Sequence, residues 1–133
     1  MEDRSIGYLR VNVRTTNGAL PLGGALVIIS EIRDGTSSVL YQLYTDEGGA
    51  TAPVSLFTPQ KSLSAVPGAL TLPFAEYNVK TVKEGYYSTE NINVPVYPGI
   101  TSVQTVNMVP LMAGDAKGSY RIEPANESRA PEL

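Results

Sequence analysis

The side chains able to do chemistry in this sequence are few, and the two most versatile types are missing. The 133 residues hold no histidine and no cysteine. Histidine is the commonest general base and transition-metal ligand, and the thiolate is both nucleophile and zinc ligand, so those routes are closed. Serine hydroxyls therefore have no imidazole to activate them. A Ser–Lys scheme needs a lysine converging on a serine, and Lys61-Ser62 is only a neighbouring pair in a stretch without regular period. Asp46-Glu47 is the remaining carboxylate pair. It would serve as a hard-cation site or as acid and base, but calcium loops space several oxygen ligands along themselves, and no other acid lies close in sequence. The preferred reading is a turn, Asp46-Glu47-Gly48-Gly49, in which Asp46 bonds its own backbone.

Tyrosine is the favoured aromatic, with eight Tyr against two Phe and no Trp. Tyr77 and Tyr86 fit a core with their hydroxyls satisfied at the rim. Tyr8, Tyr44, Tyr87 and Tyr97 fall on the opposite phase. Exposed, they would stack on sugar rings or anchor a protein partner; packed across strands on a wet sheet face, they would be ordinary.

Strands must position these groups. Residues 76–96 read as a hairpin: Tyr77 and Val79 alternate with polar neighbours, Glu84-Gly85 turns the chain, and a second strand runs to about Val96. Upstream, residues 7–16 alternate with Leu9, Val11 and Val13 on one side, and Asn17-Gly18 is a strong turn signal. Further strands are expected at 25–33, with Ala25, Val27 and Ile29 inward, and at 38–45, 50–56 and 100–108. Residues 57–73 contain Pro59, Pro67, Gly68 and Pro73 without sustained period and read as a long loop. Residues 1–6 read as a flexible lead and 113–133 as a flexible polar tail, leaving 7–112 as one domain. Seven short strands separated by Gly, Pro, Asn and Asp turns, with no helical period, predict an all-β fold. Its expected form is a seven-stranded antiparallel Greek-key sandwich.

One feature is unusual for a strand with a wet side. The outward residues Leu26 and Ile28 are apolar, and Leu40 and Tyr44 fall on the outward phase of the next strand. If those strands pair, the four form a contiguous patch of a kind soluble monomers avoid. The 57–73 loop, a second copy or another protein would cover it. A net charge of −3 and a pI near 4.9 argue against nucleic acid or an anionic membrane as partner. No apolar run approaches the ~20 residues that span a bilayer, so no membrane insertion is expected. Met1-Glu2-Asp3-Arg4-Ser5 has no basic region followed by an apolar one. The chain is therefore expected to stay where it is made, or to have been separated from a leader or a longer parent.

Four pieces together carry a resemblance: Gly7-Tyr8-Leu9-Arg10-Val11, Leu22-Gly23-Gly24-Ala25-Leu26-Val27, Thr45-Asp46-Glu47-Gly48-Gly49, and Tyr77-Asn78-Val79 followed by Gly85-Tyr86. They resemble the carboxypeptidase regulatory-like domains, a transthyretin-like (prealbumin-like) group that also includes the Cna-B-type repeats of bacterial surface proteins. Asn93-Val94-Pro95-Val96-Tyr97-Pro98-Gly99-Ile100 is similar to versions found in spore-forming bacteria beside peptidoglycan-binding or cortex-lytic modules. The resemblance implies a non-catalytic accessory module of a cell-envelope or spore-cortex protein, with no cofactor. Peptidoglycan, cortex glycan or another envelope protein would be its partner. The alternative is an assembly subunit that forms homo-oligomers through an apolar sheet face. Two family activities do not carry over. The Cna-B isopeptide cross-link needs a first-strand Lys, where this chain has Arg10 and Arg14, and Asn107 on the last strand is left without a partner. The transthyretin-like hydroxyisourate hydrolases need histidines and a C-terminal tetrapeptide, whose four residues stand here in another order as Gly118-Ser119-Tyr120-Arg121. The candidate interaction surface is therefore Leu26, Ile28, Leu40, Tyr44, Tyr87 and Tyr97.

Overall fold

The computed structural model describes residues 4–59, 74–112 and 120–124. They form nine strands: β1 (Arg4–Thr15), β2 (Leu20–Pro21), β3 (Leu26–Arg33), β4 (Thr36–Tyr44), β5 (Val54–Pro59), β6 (Ala75–Val82), β7 (Ser88–Val96), β8 (Thr101–Met108) and β9 (Tyr120–Pro124). Seven of them answer to the strands expected from alternation. In one sheet β1 is central, with β8 on one side and β5 and the two-residue β2 on the other. The second sheet runs β4-β3-β6-β7-β9. The chain leaves β3 and β4, crosses to β5 in the first sheet and returns to lay β6 beside β3, which is the Greek-key exchange.

Most pairs are antiparallel. Two are not: β8 runs parallel to β1 along Tyr8–Thr15, and β9 runs parallel to β7. The second of these corrects the expectation of a flexible tail at residues 120–124. The remainder of the tail, the Lys61-Ser62 pair and loop residues 60–73 lie outside the described residues. Residues 57–59, expected in that loop, complete β5.

Alternation built the core as expected. Leu9, Val11 and Val13 from β1 and Ala25, Val27 and Ile29 from the β3 segment are fully buried, against Val54, Leu56, Tyr77, Val79, Val94, Val96, Val106 and Met108. The turns use residues that tolerate left-handed backbone: Asp34 and Gly35 both have positive φ, the requirement of a two-residue type I′ connection between β3 and β4. Gly7 meets a different demand. A Cβ on it would lie 2.3 Å from the Tyr97 carbonyl oxygen, so only glycine lets the two sheets close at this end.

Two bulges interrupt the alternation. Between Ile29 and Ser30 the β3–β4 register shifts, with Ile29 opposite Tyr41 and Ser30 opposite Val39, so Leu40 is the extra residue. In β7 the register against β6 shifts between Tyr77 and Val79, placing Ile92 and Asn93 opposite Asn78. Asn93 takes φ 60°, a conformation Asn tolerates better than most, and its N–H donates to Asn78 Oδ1 at 3.1 Å.

Candidate functional site: the outer face of the five-stranded sheet

Because Ala25, Val27 and Ile29 point inward, Leu26, Ile28 and Ser30 point out, and the register sets their neighbours. Leu26 stands between Tyr44 on β4 and Val82 on β6. Ile28 stands between Gln42 and Lys80, with Glu90 beyond. Ser30 stands between Val39 and Asn78. Tyr44 is 70% exposed and Val39 55%, while Leu26, Ile28 and Val82 are half-buried among their neighbours. The result is an apolar strip with an aromatic ring at one end, bordered by the polar groups of Gln42, Lys80 and Glu90.

The predicted patch is thus present in three of its four members, with one replacement. Leu40, expected beside Tyr44, is the bulged residue of β4. It lines a cleft of about 550 Å³ at the sandwich edge with Ile6, Tyr41, Leu56, Phe57 and Tyr77. Val39 takes its place on the outer face. The Tyr41 hydroxyl crosses to the other sheet and donates to the Ser55 carbonyl at 2.8 Å, and the Tyr77 hydroxyl donates to the Phe57 carbonyl. An exposed Glu31–Arg33 ion pair at 3.4 Å stands at the cleft's rim, where water screens it to little net stabilisation.

Tyr97 is not on the surface: only 8% of it is accessible, and its ring packs against Phe74 at 5.4 Å. That corrects its expected exposure. Tyr87 is half-buried, its N–H held by the Val109 carbonyl at 2.9 Å, and it starts the β7 side of the sheet rather than joining the Tyr44 strip. The six predicted surface residues therefore do not share one face; Leu26, Ile28 and Tyr44 do.

The other chemical candidates resolve into structure. Asp46 Oδ1 accepts from the N–H groups of Gly48 at 2.9 Å and Ala50 at 3.0 Å, closing the turn after β4. Asp46→Ala should therefore cost about 1 kcal/mol, the worth of a hydrogen-bonded turn, and Asp46→Asn, which keeps an oxygen acceptor, should recover most of it in urea titration. Among the described residues no three acidic side chains converge. Asn107, an exposed residue, uses its Oδ1 to accept the Gly18 N–H at 3.0 Å. The buried side chains of β1 are Leu9, Val11, Val13 and Thr15, and the strand contains no lysine, so no amine faces the opposite strands from it. The buried polar side chains among the described residues are Thr, Ser, Asn and Gln, none of which titrates near neutrality.

No family model and no curated protein matches the chain. Solved structures do. The minor pilin of the Gram-positive pathogen Streptococcus agalactiae aligns over 86% of this chain and 48% of its own, with 18% identity and a TM-score of 0.51. Catechol 1,2-dioxygenase from Acinetobacter aligns over 90% of this chain and 59% of its own, with 14% identity and a TM-score of 0.54. 3-Chlorocatechol 1,2-dioxygenase from Rhodococcus opacus aligns over 80% and 60%, with 15% identity and a TM-score of 0.51. The chain spans roughly half to three fifths of each. At such identities the likeness is one of fold: a β-sandwich that a pilin subunit and two dioxygenases all contain.

Proposed function

We propose that this chain is a non-catalytic module of a cell-envelope protein and that it docks an envelope glycan on the outer face of its five-stranded sheet. The narrower placement, among carboxypeptidase regulatory-like and Cna-B-type sandwiches of the spore cortex or cell wall, belongs to the same proposal. The fold alone favours neither a structural nor an enzymatic role, since pilin and dioxygenase share it. The site favours docking. The observation that carries this reading is Tyr44, a ring 70% exposed at one end of an apolar strip, with Gln42 two residues away on the same face of β4 and the Lys80–Glu90 cross-strand pair two and three strands across the sheet. An exposed aromatic ring with an amide on the same strand face matches a sugar ring, which offers an apolar face edged by hydroxyls, and the charged pair further across the strip would meet the hydroxyls of a following sugar in an extended glycan. A proton-transfer or nucleophilic role finds less support, since the chain has neither histidine nor cysteine and the described buried polar groups do not titrate near neutrality.

The test is co-sedimentation with purified peptidoglycan sacculi and spore cortex. Wild type should pellet with one or both. Tyr44→Ala should reduce binding roughly tenfold, as loss of an aromatic anchor worth about 1.4 kcal/mol would. Tyr97→Ala should lower stability first, because that ring is buried. A wild-type chain that stays in the supernatant, or a Tyr44→Ala variant that pellets like wild type, would sink the reading.

A further inference from the structure

β4 is one edge of the five-stranded sheet. It bonds β3 along one side, and among the described residues no strand pairs with its other side. Open edges invite strands from other chains, and proteins usually blunt them with charges, proline or very short strands. The opposite edge of this sheet does so: β9 reads Tyr120-Arg121-Ile122-Glu123-Pro124, with both signs of charge and a proline in five residues. β4 does not. It is nine residues long, carries no charge and no proline, and is exposed at all positions but two. Residues 39–44, Val-Leu-Tyr-Gln-Leu-Tyr, combine strand-forming side chains with zero charge. The Leu40 bulge is its single irregularity.

We propose that β4 is a strand-pairing edge and that its occupant is the β4 of a second copy of this chain. The two strands run antiparallel across a two-fold axis, so that one sheet continues through both subunits. Such pairing sets a strand against its own sequence in reverse. A charge within it would then face either a like charge or an uncharged position of the other copy unless an opposite charge happened to stand in register; β4 carries none, so every register sets only Val, Leu, Tyr, Gln, Ser and Thr against one another. The same axis brings together the apolar strips that begin at β4, Val39 and Tyr44 of each copy flanking the seam. Backbone pairing supplies the affinity, and the exposed apolar side chains add to it. This inference stands on the edge and its composition and does not depend on the glycan reading.

Sedimentation equilibrium of the full 133-residue chain, from low to high micromolar, tests it together with hydrogen exchange over the same range. The expected result is a reversible dimer whose β4 amides become protected as concentration rises. Val39→Lys with Gln42→Lys, both exposed positions, should raise the dimer dissociation constant at least about tenfold by setting like charges across the seam, with the melting temperature nearly unchanged. Tyr44→Ala, which removes the proposed glycan anchor, should still dimerise, so the two readings fail separately. A chain monomeric at every concentration overturns the proposal and leaves the edge to a foreign strand. A dimer indifferent to the two lysines, or one abolished by Tyr44→Ala, overturns it in favour of contact through the face.

Discussion

Gly49→Ala is expected to lower the stability of this domain by about 3 kcal/mol, the sum of a left-handed backbone cost of about 1–2 kcal/mol and the loss of one or two hydrogen bonds worth about 1 kcal/mol each. Gly49 is buried where the turn after β4 meets β1, with φ at +81°. An added Cβ would sit 2.4 Å from the Val13 carbonyl oxygen and 3.1 Å from the Leu22 nitrogen. Those atoms cannot withdraw freely. The Val13 N–H donates to the Gly49 carbonyl at 2.7 Å, and the Leu22 N–H donates to the Val13 carbonyl at 3.0 Å. Moving either strand to admit a methyl breaks the clamp that ties β1, the segment before β3 and the Asp46 turn together. Gly35→Ala is the control. Gly35 has a similar φ of +78°, but a Cβ there meets nothing within 4 Å, so only the same backbone cost of about 1–2 kcal/mol applies. Urea titrations of the two variants isolate the contact. Equal losses would mean that the close approach costs nothing.

The same turn explains much of what was legible in the sequence. Asp46-Glu47-Gly48-Gly49 read as a turn because aspartate bonds its own backbone and glycine accepts positive φ, and both occur as expected. Inward sets followed from period-two alternation wherever a strand ran unbroken, as in Leu9, Val11 and Val13 or Ala25, Val27 and Ile29. Where the candidate site differs from its alternation pattern, one cause is a bulge. Alternation placed Leu40 with Tyr44 and put Val39 on the opposite face. One inserted residue reverses the parity on one side of it, so Val39 joins the outer face and Leu40 turns to the edge cleft. In β7, Thr89 and Asn91 are buried before the bulge and Val94 and Val96 after it, an odd step from 91 to 94 that alternation cannot produce. Tyr97 is a separate case: it lies one residue past the end of β7, where strand parity no longer holds, and its ring is buried against Phe74. A bulge depends on the strand's partner, and no residue in Val39-Leu40-Tyr41 announces one. Asn93 tolerates the positive φ that its bulge requires, but alternation takes no account of that tolerance, so the period-two pattern does not single it out. β9 was missed for a different reason: it joins by backbone pairing, which needs no apolar period, and its sequence has the polarity of a tail.

Leu9→Ala should cost about 3–4 kcal/mol, within the range for a fully buried leucine whose cavity relaxes only in part. Leu9 is on central strand β1, held between Val54 on β5 and Ser102 on β8, and no part of it is accessible. The neighbours that would have to close the space belong to three paired strands, so collapse into the cavity is limited. Tyr44→Ala is expected to change stability by less than about 0.5 kcal/mol, because an exposed side chain at a strand end leaves no cavity. The two variants should separate stability from docking. Below its lowered melting temperature, Leu9→Ala should still bind whatever the outer face binds, while Tyr44→Ala should melt like wild type and bind weakly. A Leu9→Ala protein that is folded yet has lost binding would mean that core packing tunes the outer face through β3, and the face would then have to be treated as part of the core's cooperative unit. The sandwich predicts otherwise: Leu9 lies in one sheet and Tyr44 on the far side of the other, with the core between them.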